Sequence, residues 1–371
     1  MWNSTNQGTI MFKVSIIGAG NVGATAAQYI AMRNLADVVL IDINEGAAMG
    51  KSLDLLQTGP VTSHCAHLSG ASGYETTANS DVVVITAGIP RKEGMSRDQL
   101  LKINAQIVSS AAEQAVKFSP DAVFVIVTNP LDVMTQLAYQ ITGLPRQRVI
   151  GMAGVLDSGR FQTFIAAELA VSPVDVKAMV LGGHGDLMVP LLRHSSVNGI
   201  PALELISETR LQELAVRTRD GGAEIVSYLK SGSAYYAPGA SVALMVEAIL
   251  QDQNRMLPCS VLATGQYGLN NVFVGLPVVL GRSGVKRIVE LPLNSSELQA
   301  LQKSAAAIEK NVVVMNDLIG WGKPAIVEAA VTELPAVVAA TAPVAAIVES
   351  DEPSASAPEA ALAEPKEPVA K

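Results

Sequence analysis

The sequence predicts an α/β fold in which a doubly wound parallel sheet is followed by a second, α+β unit and a C-terminal tail. Runs of valine and isoleucine alternate with helix-like segments over residues 11–154, a pattern typical of parallel strands covered on both faces. Longer helices and Val/Gly-rich segments replace that alternation over residues 155–320. Hydrophobic residues make up 49% of the 371-residue chain, which is ample for large cores.

The first unit, residues 11–154, contains four strong strand candidates and two weaker ones, each close to turn residues. The strong candidates are Lys13–Ile17, Val38–Ile43, Asp81–Thr86 and Val123–Thr128, and the weaker ones are His67–Ser69 and Val149–Ile150. Helices are predicted at Val22–Asn34 and Leu100–Phe118. Strands that alternate with helices form βαβ units and therefore a parallel sheet.

The second unit, residues 155–320, combines helices with a strand-rich segment. Between Pro258 and Leu291 the chain is rich in valine and glycine, which predicts antiparallel strands. Ser295 or Ser296 is expected to cap the last helix, because serine side chains accept hydrogen bonds from the free N–H groups of a first turn. The predicted helices are Asp157–Leu169, Ser207–Gly221, Gly239–Asp252 and Ser295–Val314.

The tail, residues 321–371, is predicted to be disordered. Residues 329–371 contain six prolines and carry a net charge of −5, more than half of the chain's −8. A segment of this composition cannot bury a core of its own. Two interpretations stay open, namely a docking or solubilising element and a dispensable extension.

Composition excludes several classes of protein. A net charge of −8 and a pI of about 5.1 argue against nucleic-acid binding. Two cysteines, Cys65 and Cys259, are too few for a disulfide scaffold and indicate a reducing compartment, the cytoplasm. The chain has no apolar run suited to a membrane helix and no secretory signal over residues 1–10. No metal is expected, because His64 and His67 lack further ligands.

A glycine-rich motif directly follows the first predicted strand and opens a helical segment. It fits the dinucleotide-binding pattern of a Rossmann fold, in which the three glycines allow a tight turn, close approach of a pyrophosphate and close helix packing. The helix N-terminus would then meet the phosphates. The motif residues are Gly18, Ala19, Gly20, Asn21, Val22 and Gly23.

An acidic residue, Asp42, ends the next predicted strand, 19 residues beyond Gly23. A carboxylate at this spacing accepts hydrogen bonds from ribose hydroxyls and repels a 2′-phosphate. The motif and Asp42 together predict NAD as the cofactor. A Gly-rich turn without a ligand and a strand-end acid that only caps a turn are the alternatives.

Two further loops follow predicted strands and so face the ligand crevice of such a sheet. Residues 87–97 contain Arg91, Lys92 and Arg97 on a loop that Gly88 and Gly94 would hinge, which suits a loop that closes over an anionic substrate. Asn129 in the sequence VTNP offers an amide to a substrate oxygen. Taken alone, the first is equally a solvated basic loop and the second a simple turn.

A helical pair and a glycine-flanked histidine complete the candidate chemistry. Asp157 and Arg160 have i, i+3 spacing and share a helix face, either as a surface ion pair or as an orienting acid beside a carboxylate-binding guanidinium. His184 in LGGHGD has little crowding around it and suits proton exchange near neutral pH. A loop histidine without a role is the alternative.

Taken together, these motifs resemble the lactate/malate dehydrogenase family. The similarity runs from about Met11 to about Ile319, with GAGNVG, the Asp42 strand, AGIPRKEGMSR, VTNP, VLDSGRF and GGHGD in order and at family-like spacing. The tail has no counterpart in the family core, so the resemblance says nothing about it.

The resemblance implies four catalytic residues. His184 would be the proton donor and acceptor, and Asp157 would hold its imidazole in the right tautomer. Arg160 would bind the C1 carboxylate of the substrate. Arg97 would polarise the reacting carbonyl.

The resemblance also implies binding roles. Arg91 stands where malate-type members carry arginine and lactate-type members glutamine, so it would pair with a second substrate carboxylate. Asn104, Val127, Thr128 and Asn129 would contact the nicotinamide half of the cofactor, and Asn129 would also contact the substrate.

The implied reaction is the reversible oxidation of (S)-malate to oxaloacetate by hydride transfer to NAD, in a homotetramer or homodimer. A lactate or other 2-hydroxyacid dehydrogenase is the alternative within enzymes, and Arg91 argues against it. A non-catalytic NAD-binding scaffold with an acidic interaction tail is the alternative from another class. The presence of His184, Asp157 and Arg160 argues against that scaffold.

Overall fold

The computed structural model describes residues 12–90 and 94–320. The predicted tail over 321–371 and residues 91–93 lie outside this part of the chain. The strands are β1 (Lys13–Ile17), β2 (Asp37–Ile41), β3 (Leu68–Ala71), β4 (Val82–Ile85), β5 (Val123–Ile126), β6 (Val149–Gly151), β7 (Val176–Lys177), β8 (Val180–Gly182), β9 (Met188–Pro190), β10 (Ser196–Val197), β11 (Ile200–Pro201), β12 (Arg255–Thr264), β13 (Asn270–Gly281) and β14 (Gly284–Ile288).

Helices connect these strands and cover the sheet. They are α1 (Asn21–Met32), α2 (Glu45–Gln57), α3 (Gly59–Thr62), α4 (Arg97–Phe118), α5 (Leu131–Thr142), α6 (Gly154–Leu169), α7 (Ala202–Leu205), α8 (Glu208–Leu229), α9 (Tyr236–Leu250) and α10 (Ser295–Ile319). Among the described residues, none of the helices combines the length and apolar character needed to cross a bilayer.

The N-terminal half forms a parallel sheet in the order β3-β2-β1-β4-β5-β6. The winding reverses between β1 and β4, which pair in parallel at Ile17 and Ile85. The predicted doubly wound sheet is therefore confirmed. Because all six strands run the same way, the loops that follow β1, β2, β4 and β5 meet at one edge, where ligands bind in folds of this class.

The C-terminal strands extend the same sheet. β12 runs antiparallel to β6, with Ser260 opposite Gly151, and the order continues through β13, β8 and β9. A second sheet of β11, β10 and β7 is also antiparallel. The predicted antiparallel segment is confirmed, but the sequence did not predict its junction with the parallel half. The division at residue 154, where α6 begins, stays a prediction.

The core is largely aliphatic, in line with an aromatic content of only 4%. Val82–Ile85 of β4 is completely buried, as expected for a strand covered on both faces. A second, smaller cluster packs around Phe161 between α6 and α8. Three fully buried phenylalanines are the aromatic exceptions, namely Phe124, Phe161 and Phe273.

Several predicted helices end or begin a few residues away from their predicted bounds, and the largest corrections are the end of α8 and the residue that caps α10. Helix α8 continues through Gly221 to Leu229, because this glycine serves close packing: an added Cβ would lie 3.2 Å from Cδ of Arg160. The cap of α10 is Asn294, not Ser295 or Ser296. Asn294 Oδ1 accepts a hydrogen bond from the backbone N–H of Glu297, and the Glu297 carboxylate accepts one from the N–H of Asn294, both at 2.9 Å.

Replacing this cap tests the corrected boundary. We expect Asn294→Ala to lower the free energy of unfolding by about 1 kcal/mol, since the first turn loses its side-chain acceptor. Ser295→Ala is the matched control and should change stability by less than about 0.5 kcal/mol. Urea unfolding at one protein concentration measures both, and an equal loss in the two variants would contradict Asn294 as the cap.

Candidate active site

The turn after β1 is shaped by two glycines that admit no side chain. Gly18 has φ +107°, in the left-handed region, and an added Cβ would lie 2.6 Å from the backbone nitrogen of Ala87. A Cβ on Gly23 would lie 2.0 Å from the carbonyl oxygen of Gly18. The strand, the turn and α1 are therefore packed backbone against backbone.

The third glycine of the motif faces open space. Gly20 is the N-cap of α1, so no side chain binds the free N–H groups of the first turn. An added Cβ would meet nothing within 4 Å. Backbone N–H groups at a helix N-terminus, together with the helix dipole, favour phosphate. The geometry of these residues thus fits the pyrophosphate of a dinucleotide.

Asp42 is held beside this turn at the end of β2. Its carboxylate accepts hydrogen bonds from the backbone N–H groups of Ala19, at 2.8 Å, and Asn44, at 2.9 Å. Lys51 Nζ donates to the carbonyl oxygen of Ala19 at 2.7 Å. The carboxylate is therefore fixed at the place where the sequence predicts a contact with the ribose hydroxyls.

Asn104 joins the loops after β4 and β5. Its Oδ1 accepts from the N–H of Ile89 at 2.9 Å, and its Nδ2 donates to the carbonyl oxygen of Asn129 at 2.8 Å. Thr128 Oγ1 donates to the carbonyl oxygen of Ala87 at 2.7 Å. Asn104 thus has a structural role in addition to the predicted contact with the cofactor, which stays a prediction.

The loop that follows β4 leads into α4 at Arg97. Ser96 caps this helix in a capping box with Gln99, and Arg97, its first residue, is exposed. Arg91, the predicted specificity residue, lies outside the described residues. The roles of both arginines stay predictions.

The predicted trio of His184, Asp157 and Arg160 comes together. Nδ1 of His184 lies 2.9 Å from Oδ2 of Asp157, whose side chain is 2% exposed. Nη1 of Arg160 lies 3.5 Å from Oδ1 of the same carboxylate. An ionised carboxylate only accepts hydrogen bonds, so Nδ1 carries a proton and Nε2 is left as the ring nitrogen available for proton exchange.

The charges around His184 set its protonation. Burial by itself would lower the pKa of His184, but the adjacent Asp157 carboxylate outweighs it, so that the pKa lies above the ordinary 6.5. Burial also lowers the pKa of Arg160 from its usual range, although Asp157 opposes this. A histidine with a raised pKa suits proton donation near neutral pH.

Two polar residues near His184 were missed by the sequence analysis. Asp132, in the first turn of α5, is 5% exposed, and Oδ2 of its carboxylate accepts a hydrogen bond from the backbone N–H of His184 at 2.9 Å. Ser260 of β12 donates to Oδ1 of Asp132 at 2.7 Å. The one sequence signal for Asp132 is its position two residues after Asn129-Pro130. The same position is also typical of an acidic residue that stabilises the first turn of a helix.

Comparison with protein families agrees with this geometry. Residues 12–151 match the lactate/malate dehydrogenase NAD binding domain, and residues 154–317 match the α/β C-terminal domain of the same family. The chain belongs to the lactate/malate dehydrogenase family, and NAD is its cofactor.

The relatives include malate dehydrogenases and lactate dehydrogenases. A malate dehydrogenase of Trichormus variabilis is 57% identical over 300 residues, which cover 81% of this chain and 93% of the relative. A malate dehydrogenase structure from Salinibacter ruber is 46% identical with a TM-score of 0.80, and covers 84% of this chain and 100% of its own. A lactate dehydrogenase from Cryptosporidium parvum, complexed with lactic acid and NAD, is 39% identical with a TM-score of 0.80, over 84% of this chain and 99% of its own.

Alanine at two glycines should separate packing from phosphate binding. Gly23→Ala should reduce both stability and NADH affinity, because its Cβ overlaps the Gly18 carbonyl. Gly20→Ala should leave the thermal midpoint unchanged while weakening NADH binding about tenfold or more, because a methyl group there would keep the phosphates away. Calorimetry and NADH fluorescence titration measure the two effects, and equal NADH affinity in Gly20→Ala and the wild type would contradict this placement.

Proposed function

We propose that the chain is an NAD-dependent malate dehydrogenase in which His184 exchanges the proton and Asp157, Arg160, Arg97 and Arg91 orient the substrate. The observation that carries the proposal is the 2.9 Å contact between the His184 ring and a buried carboxylate, beside a guanidinium. The malate dehydrogenases among the relatives support the substrate.

The residues of the chain supply proton transfer and substrate binding. NADH, when bound, supplies the hydride to the keto carbon. Protonated His184 gives its Nε2 proton to the oxygen of oxaloacetate, and Asp157 keeps the ring oriented and stabilises its positive charge. Arg160 holds the C1 carboxylate through two hydrogen bonds, and Arg97 stabilises the charge that develops on the carbonyl oxygen.

Further properties belong to the same proposal. The partner is a small dicarboxylate, and the enzyme works in the cytoplasm as a homotetramer or homodimer. Neither nucleic acid nor a membrane takes part. The net charge of −8 and the shortage of cysteines support a cytoplasmic location.

The proposal is tested by following NADH oxidation with oxaloacetate and pyruvate in parallel. Strong preference for oxaloacetate is the expected result. Preference for pyruvate would retain the chemistry of His184 but overturn the substrate, in favour of a lactate dehydrogenase. Turnover of neither, with measurable NADH binding, would favour the non-catalytic scaffold.

Arg91 should decide between the two keto acids. We expect Arg91→Gln to lower kcat/KM for oxaloacetate and to raise the relative rate with pyruvate, by roughly tenfold to a hundredfold in the ratio, because an unpaired guanidinium in a closed site costs about 1–3 kcal/mol. Lys92→Gln is the matched control, since it removes a neighbouring charge of the same loop. An oxaloacetate/pyruvate ratio that is the same in Arg91→Gln and the wild type would contradict the assignment.

The raised pKa of His184 predicts how activity changes with pH. Reduction of oxaloacetate requires the protonated ring, so kcat/KM should be constant below this pKa and fall about tenfold per pH unit above it. Malate oxidation requires the neutral ring, so its kcat/KM should rise with pH up to this pKa and be constant above it. Asp157→Asn should move both limbs to lower pH, because the charged ring loses its partner. A reduction rate that stayed constant from mildly acid to strongly alkaline pH would rule out His184 as the donor.

A further inference from the structure

A second buried carboxylate besides Asp157 contacts His184, at its backbone and not at its ring. Asp132 accepts hydrogen bonds from the backbone N–H of His184, at 2.9 Å, and from Ser260 Oγ, at 2.7 Å. The two oxygens therefore bind two different segments, the β8–β9 loop and β12. Asp132 itself lies in the first turn of α5, which follows the turn that carries Asn129. A single side chain thus joins the predicted cofactor turn to the catalytic loop.

The β8–β9 loop is already held by an uncharged group. Ser304 Oγ accepts a hydrogen bond from the N–H of Gly183 and donates one to the carbonyl oxygen of Leu187, both at 2.8 Å. The neutral hydroxyl of Ser304 therefore binds backbone groups of this loop without the cost of burying a charge. Asp132 bears that cost, so its charge calls for an explanation beyond anchoring the loop.

The charges that face His184 provide that explanation. Asp157 and Arg160 lie on α6, and Asp132 lies on α5. Asp157 and Asp132 favour the protonated ring of His184, whereas Arg160 opposes it. With Asp132 the carboxylates near the ring outnumber the guanidinium. Burial, and to a smaller extent the Asp157 carboxylate, raise the pKa of Asp132 above its ordinary value, and the hydrogen bonds from Ser260 and from the N–H of His184 only partly offset that rise by favouring the ionised form.

We propose that Asp132 is a positioning residue of the active site, which anchors the backbone of His184 and stabilises the protonated imidazole through a buried negative charge. Its effect on turnover rests on the proposed function of His184. Its effect on the protonation of the ring does not, and can be measured without turnover.

The test is an NMR titration of labelled imidazole rings in the holoenzyme. The chain contains only four histidines, and His184→Gln identifies the signal of His184. We expect Asp132→Asn to lower the pKa of His184 by about one pH unit. The alkaline limb of oxaloacetate reduction should move to lower pH by the same amount. An unchanged titration of His184 in folded, NADH-binding Asp132→Asn would overturn the proposal.

Two controls separate the charge from other effects of the substitution. Ser304→Ala loosens the same loop without changing charge, and Asp186→Asn removes an equal charge from an exposed side chain two residues from His184. Neither variant should change the pKa of His184 by more than about 0.3 pH unit, a small part of the shift expected from a buried charge. A shift in either as large as in Asp132→Asn would mean that loop anchoring or general charge explains the effect.

Ser260→Ala keeps the experiment decisive if Asp132→Asn does not fold. The Asp132 carboxylate would lose a donor that favours its ionised form, so it would be ionised less completely. The pKa of His184 should then fall, by a smaller amount than in Asp132→Asn, and an unchanged pKa would overturn the proposal. Failure of the proposed function would look different. A wild-type protein that does not reduce oxaloacetate would exclude that function, while the ring titrations would still decide the role of Asp132.

Discussion

The hydrogen bond between Asp157 and His184 requires a carboxylate that is almost completely buried, and much of the structure makes that burial tolerable. An isolated buried charge is unstable unless it is paired and hydrogen-bonded. Asp157 has the imidazole at 2.9 Å and the Arg160 guanidinium at 3.5 Å. Arg160 in turn packs against Gly221 of α8, where any larger residue would crowd its side chain. Gly221 thus leaves room for the Arg160 side chain where α8 passes close to α6.

The continuous sheet brings the two halves of the site together. Strand β12 pairs with β6 at a single position, Ser260 opposite Gly151. The same Ser260 donates a hydrogen bond to Asp132, which accepts another from the backbone N–H of His184. The junction of the parallel and antiparallel strands and the anchoring of His184, the proposed proton donor, therefore share one residue. Substitutions at this junction are expected to affect both packing and proton transfer.

Local patterns predicted the elements well where local forces decide them. Lys13–Ile17 has the bounds that its apolar run indicates, because a strand buried on both faces has little choice of boundary. The next strand ends at Ile41, earlier than its apolar run suggests, because Asp42 turns back to bind the N–H groups of Ala19 and Asn44. Similarly, the cap of α10 is Asn294, since Glu297 stands at the position that completes its capping box.

The sequence by itself determined the class of fold, the dinucleotide turn and the residue types of the His184–Asp157–Arg160 trio. These depend on periodicity and on motifs within a few residues of chain, where backbone sterics and strand burial act directly. Only the tertiary structure decided that Asp132 and Ser260 support His184, because residues 128 positions apart meet there through the sheet. Nothing in the local sequence of Asp132 distinguishes it from a first-turn acid. Its function comes from the low-polarity surroundings and from the donors that the fold places around it.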